Sequence, residues 1–359
     1  MNRIYNFSPG PAILPVPVLE EASRGVLEIN GSGMSVLEVS HRGKHFEAIH
    51  ADARDRLLRV LGLSPDDYYA LFLQGGASLQ FAMVPMNLLG PGQTADYVNT
   101  GEWSSKALKE AKKIGAVNVA ASSEDSRFSC IPTQLNLTPG AAYLHITTNN
   151  TIAGTEWPEL PAGNGAPLVA DASSDIFARD IDYSKFDLLY AGAQKNAGPA
   201  GVTLVVVRKS LVEKSSDSLP TILSYKTLAK GDSLFNTPPA FCIYVVGLVL
   251  KWIEEQGGVK VIEKRNREKA GLIYAALDAH LDVYDPAVTV KADRSIMNVT
   301  FRLRDTEKEA AFLAGAKERK LDGLKGHRLV GGFRASIYNA FPAEGCQALA
   351  EYIQDFARG

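Results

Sequence analysis

Three features of this 359-residue chain have residue types and positions suited to chemistry: Lys195, Asp171 and the run Gln74-Gly75-Gly76-Ala77-Ser78. Lys195 lies in YAGAQKNAGPAG (190–201), between Phe186–Tyr190 and GVTLVVVRK (201–209), two apolar stretches that read as buried strands. An ammonium at the junction of two core strands is costly unless its charge is removed or used. Asp171 ends the apolar run PLVA, where a carboxylate serves a ligand or simply caps the next element. Gln74–Ser78 follows LFL and opens a helical pattern, so its small residues let backbone N–H groups and a helix N-terminus face a phosphate, with the Ser78 hydroxyl as a further donor. It is neither a Walker A motif nor GxGxxG, and alone it reads as a turn.

Taken together, the three are far more specific. A phosphate nest, a carboxylate and a lysine 24 residues after that carboxylate, each at a strand end of one sheet, match the needs of pyridoxal 5′-phosphate. The nest holds the phosphate, the carboxylate keeps the pyridine nitrogen protonated, and the lysine amine forms a Schiff base with the aldehyde. Burial disfavours the ammonium and leaves a neutral amine, while the glycines and alanines beside it leave room for a ring. Trp103, in NTGEWSSK, lies at another strand-to-helix junction, where an indole can stack on that ring or belong to the core. Asn236 and Thr237 precede Pro238-Pro239 and a long helix; they either cap that helix or reach a phosphate.

These residues need a sheet to position them. Strand patterns recur at 68–76, TADYVNTG, AVNVAAS, 141–147, 167–173, 186–192 and 201–207, with helical patterns between several of them. Strands apolar throughout and separated by helices indicate a mainly parallel seven-stranded sheet covered on both faces. Earlier, a Pro- and Gly-rich opening (6–17) precedes helical patterns at Val18–Ile29 and from Lys44 to Val60. After about Gln256 the pattern is helix (259–280), strand (295–303), helix (306–319) and helix (343–357), a smaller α+β C-terminal domain. The expected organisation is an N-terminal segment 1–15 packing with the small domain, a large cofactor-binding domain 16–256 and a small domain 257–359.

Composition narrows the function classes. The net charge is −2, so no overall field attracts nucleic acid or an anionic membrane. Lys106, Lys109, Lys112 and Lys113 have the spacing of a solvated helix face. The three cysteines, Cys130, Cys242 and Cys346, are scattered and lack CxxC pairing, which argues against disulfides or a metal site and suits a reducing compartment. The opening lacks the pattern of a secretory signal, and the best apolar window, Phe241–Ile253, is too short for a membrane span. Cytoplasm is the expected location.

The blocks NFSPGPAILP, QGGASLQF, GEWSSKALKEAKK, YAGAQKNAGPAG, NTPP and GHRLVGGFRASIYNA cover essentially the whole chain. Through them it resembles the phosphoserine aminotransferase family, fold-type I pyridoxal-phosphate enzymes of the class V group. The resemblance implies that Lys195 is the Schiff-base lysine and Asp171 the pyridinium partner. It implies that Trp103 stacks, that Gly76, Ala77, Ser78 and Gln194 help to hold the cofactor phosphate, and that Thr151 contacts the phenolic oxygen. Asn236 and Thr237 would reach the phosphate from a neighbouring subunit, so a homodimer with interfacial sites is implied. Where many members read NETI-G, this chain has Asn149-Asn150-Thr151-Ile152-Ala153-Gly154, keeping the threonine but not the glutamate. The family's FS-x-GP is matched by Phe7-Ser8-Pro9-Gly10-Pro11, with Ser8 a substrate candidate.

The implied reaction is reversible transamination between L-glutamate and 3-phosphohydroxypyruvate, giving 3-phospho-L-serine and 2-oxoglutarate. Bacterial members also form 4-phosphohydroxy-L-threonine for pyridoxine synthesis. Such substrates need cations: Arg334 is expected at the α-carboxylate, and His41-Arg42 and His327-Arg328 at the distal phosphate or γ-carboxylate. The alternatives are an alanine–glyoxylate type aminotransferase, a cysteine desulfurase, which needs a catalytic cysteine in a mobile loop where Cys346 in its helix-forming stretch is poorly placed, or a phosphate-ligand binding protein without turnover.

Overall fold

The structure, a computed structural model, describes residues 3–328 and 330–359. Seven strands form one mixed sheet in the order Tyr68–Leu73, Thr203–Arg208, Leu188–Gly192, Leu168–Asp171, Leu144–Thr147, Thr94–Asn99 and Ala116–Ser122. Thr203–Arg208 runs antiparallel to both neighbours; every other pairing is parallel. The mainly parallel seven-stranded sheet expected from the sequence is thus observed. All residues of the strands Leu144–Thr147, Leu168–Asp171 and Leu188–Gly192 are buried, because helices cover both faces. Helices Lys44–Val60 and Ala240–Glu255 pack on one face, around Phe46, Leu57, Ile243 and Leu250. Helices Gly76–Leu88, Glu102–Ile114 and Tyr225–Lys230 cover the other, around Phe81, Tyr97, Tyr190 and Tyr225.

Helix Glu102–Ile114 shows how local sequence sets the site. Ala107, Leu108 and Ala111 face the core, while Lys106, Lys109, Lys112 and Lys113 are exposed. Its start is fixed by the Ser104 hydroxyl oxygen, which accepts from Thr100 N and Gly101 N, each at 2.9 Å. Trp103 is therefore held in the first turn, at the carboxyl edge of the sheet.

A second, three-stranded antiparallel sheet has the order Phe333–Ser336, Asn298–Leu303, Tyr284–Pro286. Helices Val259–Asp278, Glu309–Glu318 and Ala343–Ala357 pack with it around an aromatic cluster in which the Phe312 ring lies 4.5 Å from that of Phe333 and 4.8 Å from that of Tyr352. The N-terminal strand Tyr5–Asn6 pairs in parallel with Leu321–Asp322 of this unit.

Several element ends differ from the sequence pattern. The first helix spans Val16–Leu27 rather than 18–29, because Pro17 suits a first turn, where no backbone donor is needed. The strand expected at 295–303 begins at Asn298, because the Ser295 hydroxyl accepts from Met297 N and Asn298 N and turns the chain. Among the described residues, no helix is long and apolar enough to cross a membrane.

Candidate active site

The parallel register aligns the strand ends: Thr147 is opposite Asp171, and Asp171 opposite Tyr190. Three residues beyond the end of strand Leu188–Gly192, Lys195 projects from a tight turn closed by Ala193 N to Val202 O and by Gly198 N to Ala193 O. The N-terminal segment crosses it, with Ala12 N donating to Gln194 O and a Cβ on Gly10 lying only 3.4 Å from Lys195 Cγ. Gly75 (φ 87°) and Gly76 (φ 65°) take left-handed backbone into helix Gly76–Leu88, whose N-terminus then faces the same space.

One cavity of about 110 Å³ is lined by Gly76, Ala77, Ser78, Trp103, Thr151, Asp171, Gln194 and Lys195. Thr147, Asn149, Ser173 and Ser174 line it too, and sequence reasoning missed them. Their shared signal is position, since each follows or ends a strand at its carboxyl edge.

The electrostatics suit amine chemistry. Lys195 Nζ donates to Thr151 Oγ1 at 2.6 Å and lies 5.8 Å from the Trp103 ring centre. Burial pulls the Lys195 amine down to about 8, against the opposing pull of the Asp171 carboxylate; the Arg334 charge lowers it further. Burial also raises the Asp171 carboxyl above its ordinary value, although Ser173 N donates to its Oδ1 at 2.9 Å and Lys195 favours its charged form. The departure at 150 is accommodated without displacing Thr151. Asn150 Nδ2 donates to Thr100 Oγ1 at 3.1 Å and to Thr155 Oγ1 at 3.0 Å, and its side chain fills the space beside Gly101.

These residues fit a phosphorylated pyridine. Asp171 is a buried carboxylate beside the cavity, as a ring N–H cation requires. The Trp103 Nε1, Thr147 Oγ1 and Asn149 Oδ1 atoms are buried with no hydrogen-bond partner among the described residues. A polar ligand with donors and acceptors would satisfy them.

The remaining candidates do not line this cavity. Arg334 is buried on strand Phe333–Ser336 and donates from Nη1 to Thr151 O at 3.2 Å, while its Nε has no partner among the described residues. The imidazole of His327 feels the charges of Arg334, Arg328, Glu102 and Lys106, and burial chiefly lowers its pKa; Arg328 is exposed. Ser8 packs against Gly323. Asn236 and Thr237 are exposed, with Thr237 O accepting from Gln74 Nε2 at 3.2 Å. His41 and Arg42 touch each other at 3.4 Å and do not line this chain's cavity.

A mixed sheet with a half-buried lysine and a buried carboxylate at one carboxyl edge defines a cofactor-dependent transferase, and the family comparison agrees. Residues 4–349 match the model of the aminotransferase class-V family, and the chain belongs to that family. Within it, the similar proteins are phosphoserine aminotransferases. That of Desulfosudis oleivorans is 57% identical over 99% of both chains. The solved structure of the Bacillus circulans subsp. alkalophilus enzyme superposes with a TM-score of 0.97 at 52% identity, covering 100% of this chain and 99% of the other. The phosphoserine aminotransferase of Trichomonas vaginalis, solved with pyridoxal phosphate bound, gives a TM-score of 0.92 at 38% identity, covering 98% of this chain and 100% of that one.

Proposed function

We propose that this chain is a pyridoxal-phosphate-dependent phosphoserine aminotransferase, moving an amino group between L-glutamate and 3-phosphohydroxypyruvate to give 3-phospho-L-serine and 2-oxoglutarate. The observation that carries the chemistry is that Lys195, Asp171 and the helix N-terminus at Gly76–Ser78 line one cavity. When bound, the cofactor supplies an aldehyde that takes up amino groups and a ring that withdraws electrons. Gly76, Ala77 and Ser78 offer N–H groups and a hydroxyl to its phosphate, with Gln194 beside them. Asp171 would accept from the ring N–H and keep the ring protonated, and Trp103, on the same cavity wall, would cover a ring face. Thr151 orients Lys195, whose Nζ, uncharged above about pH 8, takes the proton from the substrate Cα and returns one there in the reverse direction.

Arg334, a buried guanidinium with donors to spare, is assigned to the α-carboxylate common to all the substrates. His327 and Arg328 are assigned to the distal anion, and Ser8 lies on the same approach. We assign His41, Arg42, Asn236 and Thr237 to the site of a second subunit. None of the four lines this chain's cavity, and Leu27, Met34 and Leu37, near His41 and Arg42 in sequence, are exposed apolar residues suited to an interface. A homodimer in the cytoplasm is the form we infer, in keeping with three free cysteines. The desulfurase alternative loses its nucleophile: Cys346 is buried in helix Ala343–Ala357 and its thiol is pushed up to about 12 by burial.

Single-turnover reaction of the cofactor-loaded protein with phosphoserine, serine, alanine and glutamate tests this reading. Fast reaction with phosphoserine and glutamate alone is expected; preference for alanine would overturn it. Mixing Lys195→Ala with Arg42→Ala chains tests the shared site. Regained activity in the hybrid is expected, and its absence would return Arg42 to its own subunit.

A further inference from the structure

The block RASIYNA has no part so far beyond Arg334, and a fully buried lysine explains it. Lys269, on helix Val259–Asp278, is 3% exposed. Its ammonium donates to three backbone carbonyls, Ile337 O at 3.0 Å, Tyr338 O at 2.7 Å and Phe341 O at 3.2 Å. All three of its donors are used, and no carboxylate forms an ion pair with it among the described residues. Arg265, Glu268 and the Cys346 thiol are the titratable or charged groups around it.

The turn gathered in this way reaches towards both catalytic residues. Asn339 N donates to Asn196 Oδ1 at 2.9 Å, and Asn196 adjoins Lys195. Asn339 Nδ2 donates to Phe177 O at 3.1 Å, in the segment that follows Asp171. Phe177 has φ 63°, a left-handed conformation that a bulky residue keeps only when its surroundings hold it. From the same helix as Lys269, Asn266 Nδ2 donates to Asn339 Oδ1 at 2.8 Å and to Ala178 O at 3.1 Å. Burial draws the Lys269 amine down to about 8, so at neutral pH the fold gives up free energy to keep this charge inside. A methionine of similar length would avoid that cost but gather no carbonyls.

We propose that Lys269 is a positioning residue of the active site. By collecting the carbonyls of Ile337, Tyr338 and Phe341 it fixes Asn339, which grips Asn196 and Phe177 and so sets the chain beside Lys195 and beyond Asp171. This rests on the aminotransferase reading only for its kinetic consequence.

The test uses the cofactor-loaded full chain carrying Lys269→Met or, separately, Asn339→Ala, with hydrogen exchange followed in peptides covering 172–179 and 193–199. Faster exchange is expected in both stretches, although the Lys269 amine donates to neither, together with a kcat reduced on the order of 10- to 100-fold. Lys269→Met combined with Asn196→Ala is expected to be no worse than the worse single variant, because both break one chain of contacts. Wild-type exchange in both stretches with kcat within about twofold would overturn the proposal, even if the thermal midpoint falls. Should Lys269→Met fail to fold, Asn339→Ala decides by the same two readouts. If the unsubstituted chain does not turn over phosphoserine, the function reading fails, and the exchange pattern alone still decides this one.

Discussion

Lys195 and Lys269 are both enclosed lysines whose amines are pulled down to about 8 by burial, yet their surroundings give them opposite uses. Lys195 has one hydroxyl partner, Thr151, and borders a cavity with a carboxylate on its wall. Lys269 has three carbonyl partners that use every donor it has. The difference teaches that a depressed lysine pKa does not by itself mark a nucleophile. What marks one is unspent bonding capacity next to space. An amine already committed to three acceptors works as a structural cation, whatever its proton affinity.

That contrast can be broken or sharpened, beginning where the effect is largest. Lys195→Ala is expected to lower transamination by about 10⁴-fold or more, and borohydride treatment after cofactor addition should then label no lysine; label appearing at 269 would erase the distinction. Asp171→Asn is expected to lower kcat on the order of 10²- to 10³-fold. Because the Asp171 charge raises the Lys195 value, the asparagine should also shift the onset of aldehyde capture by the cofactor-free chain to lower pH. A shift to higher pH would refute the electrostatic account.

Arg334→Ala should weaken both glutamate and phosphoserine by on the order of 2–5 kcal/mol in binding assays, and an effect confined to phosphoserine would reassign that arginine. In the unsubstituted cofactor-free chain, an amine-directed reagent should modify Lys195 increasingly as pH rises through about 8, since the protonated form is lost across that range. Lys269 should stay unmodified in the same peptide maps. The smallest expected effect is that of Thr151→Val, which removes one bond to the Lys195 amine, worth about 1 kcal/mol, and so should change the half-reaction rate by less than about tenfold.

Much of this arrangement was legible in the sequence, for identifiable reasons. Leu188–Gly192 and Thr203–Arg208 are apolar because both faces of the sheet are covered, so runs of Val, Leu and Ala disclosed them. Gly-Gly before a helix and an Asp or Lys just past an apolar run each read blandly alone, and only their combination pointed at one sheet edge. Asn149, Ser173 and Ser174 carried no such signal, since small polar residues after a strand look like any loop. Lys269 was hidden more thoroughly. It sits in KVIEKRNREKAG, a charge-rich helix that reads as solvated, and only the packing of residues 337–341 against it makes that position interior. The antiparallel direction of Thr203–Arg208 was equally silent, because a strand buried on both faces has the same pattern either way round.

The strand Tyr5–Asn6, paired with Leu321–Asp322, sets a constraint on how the enzyme is made. The earlier strand finds its partner only after more than 300 further residues have been translated. Until then the segment is held over the Lys195 turn only by local bonds such as Ala12 N to Gln194 O. Large multi-layered chains commonly fold in pieces during synthesis. Here the pairing of 5–6 with 321–322 must wait for most of this sequence, so competence to bind cofactor should arise late.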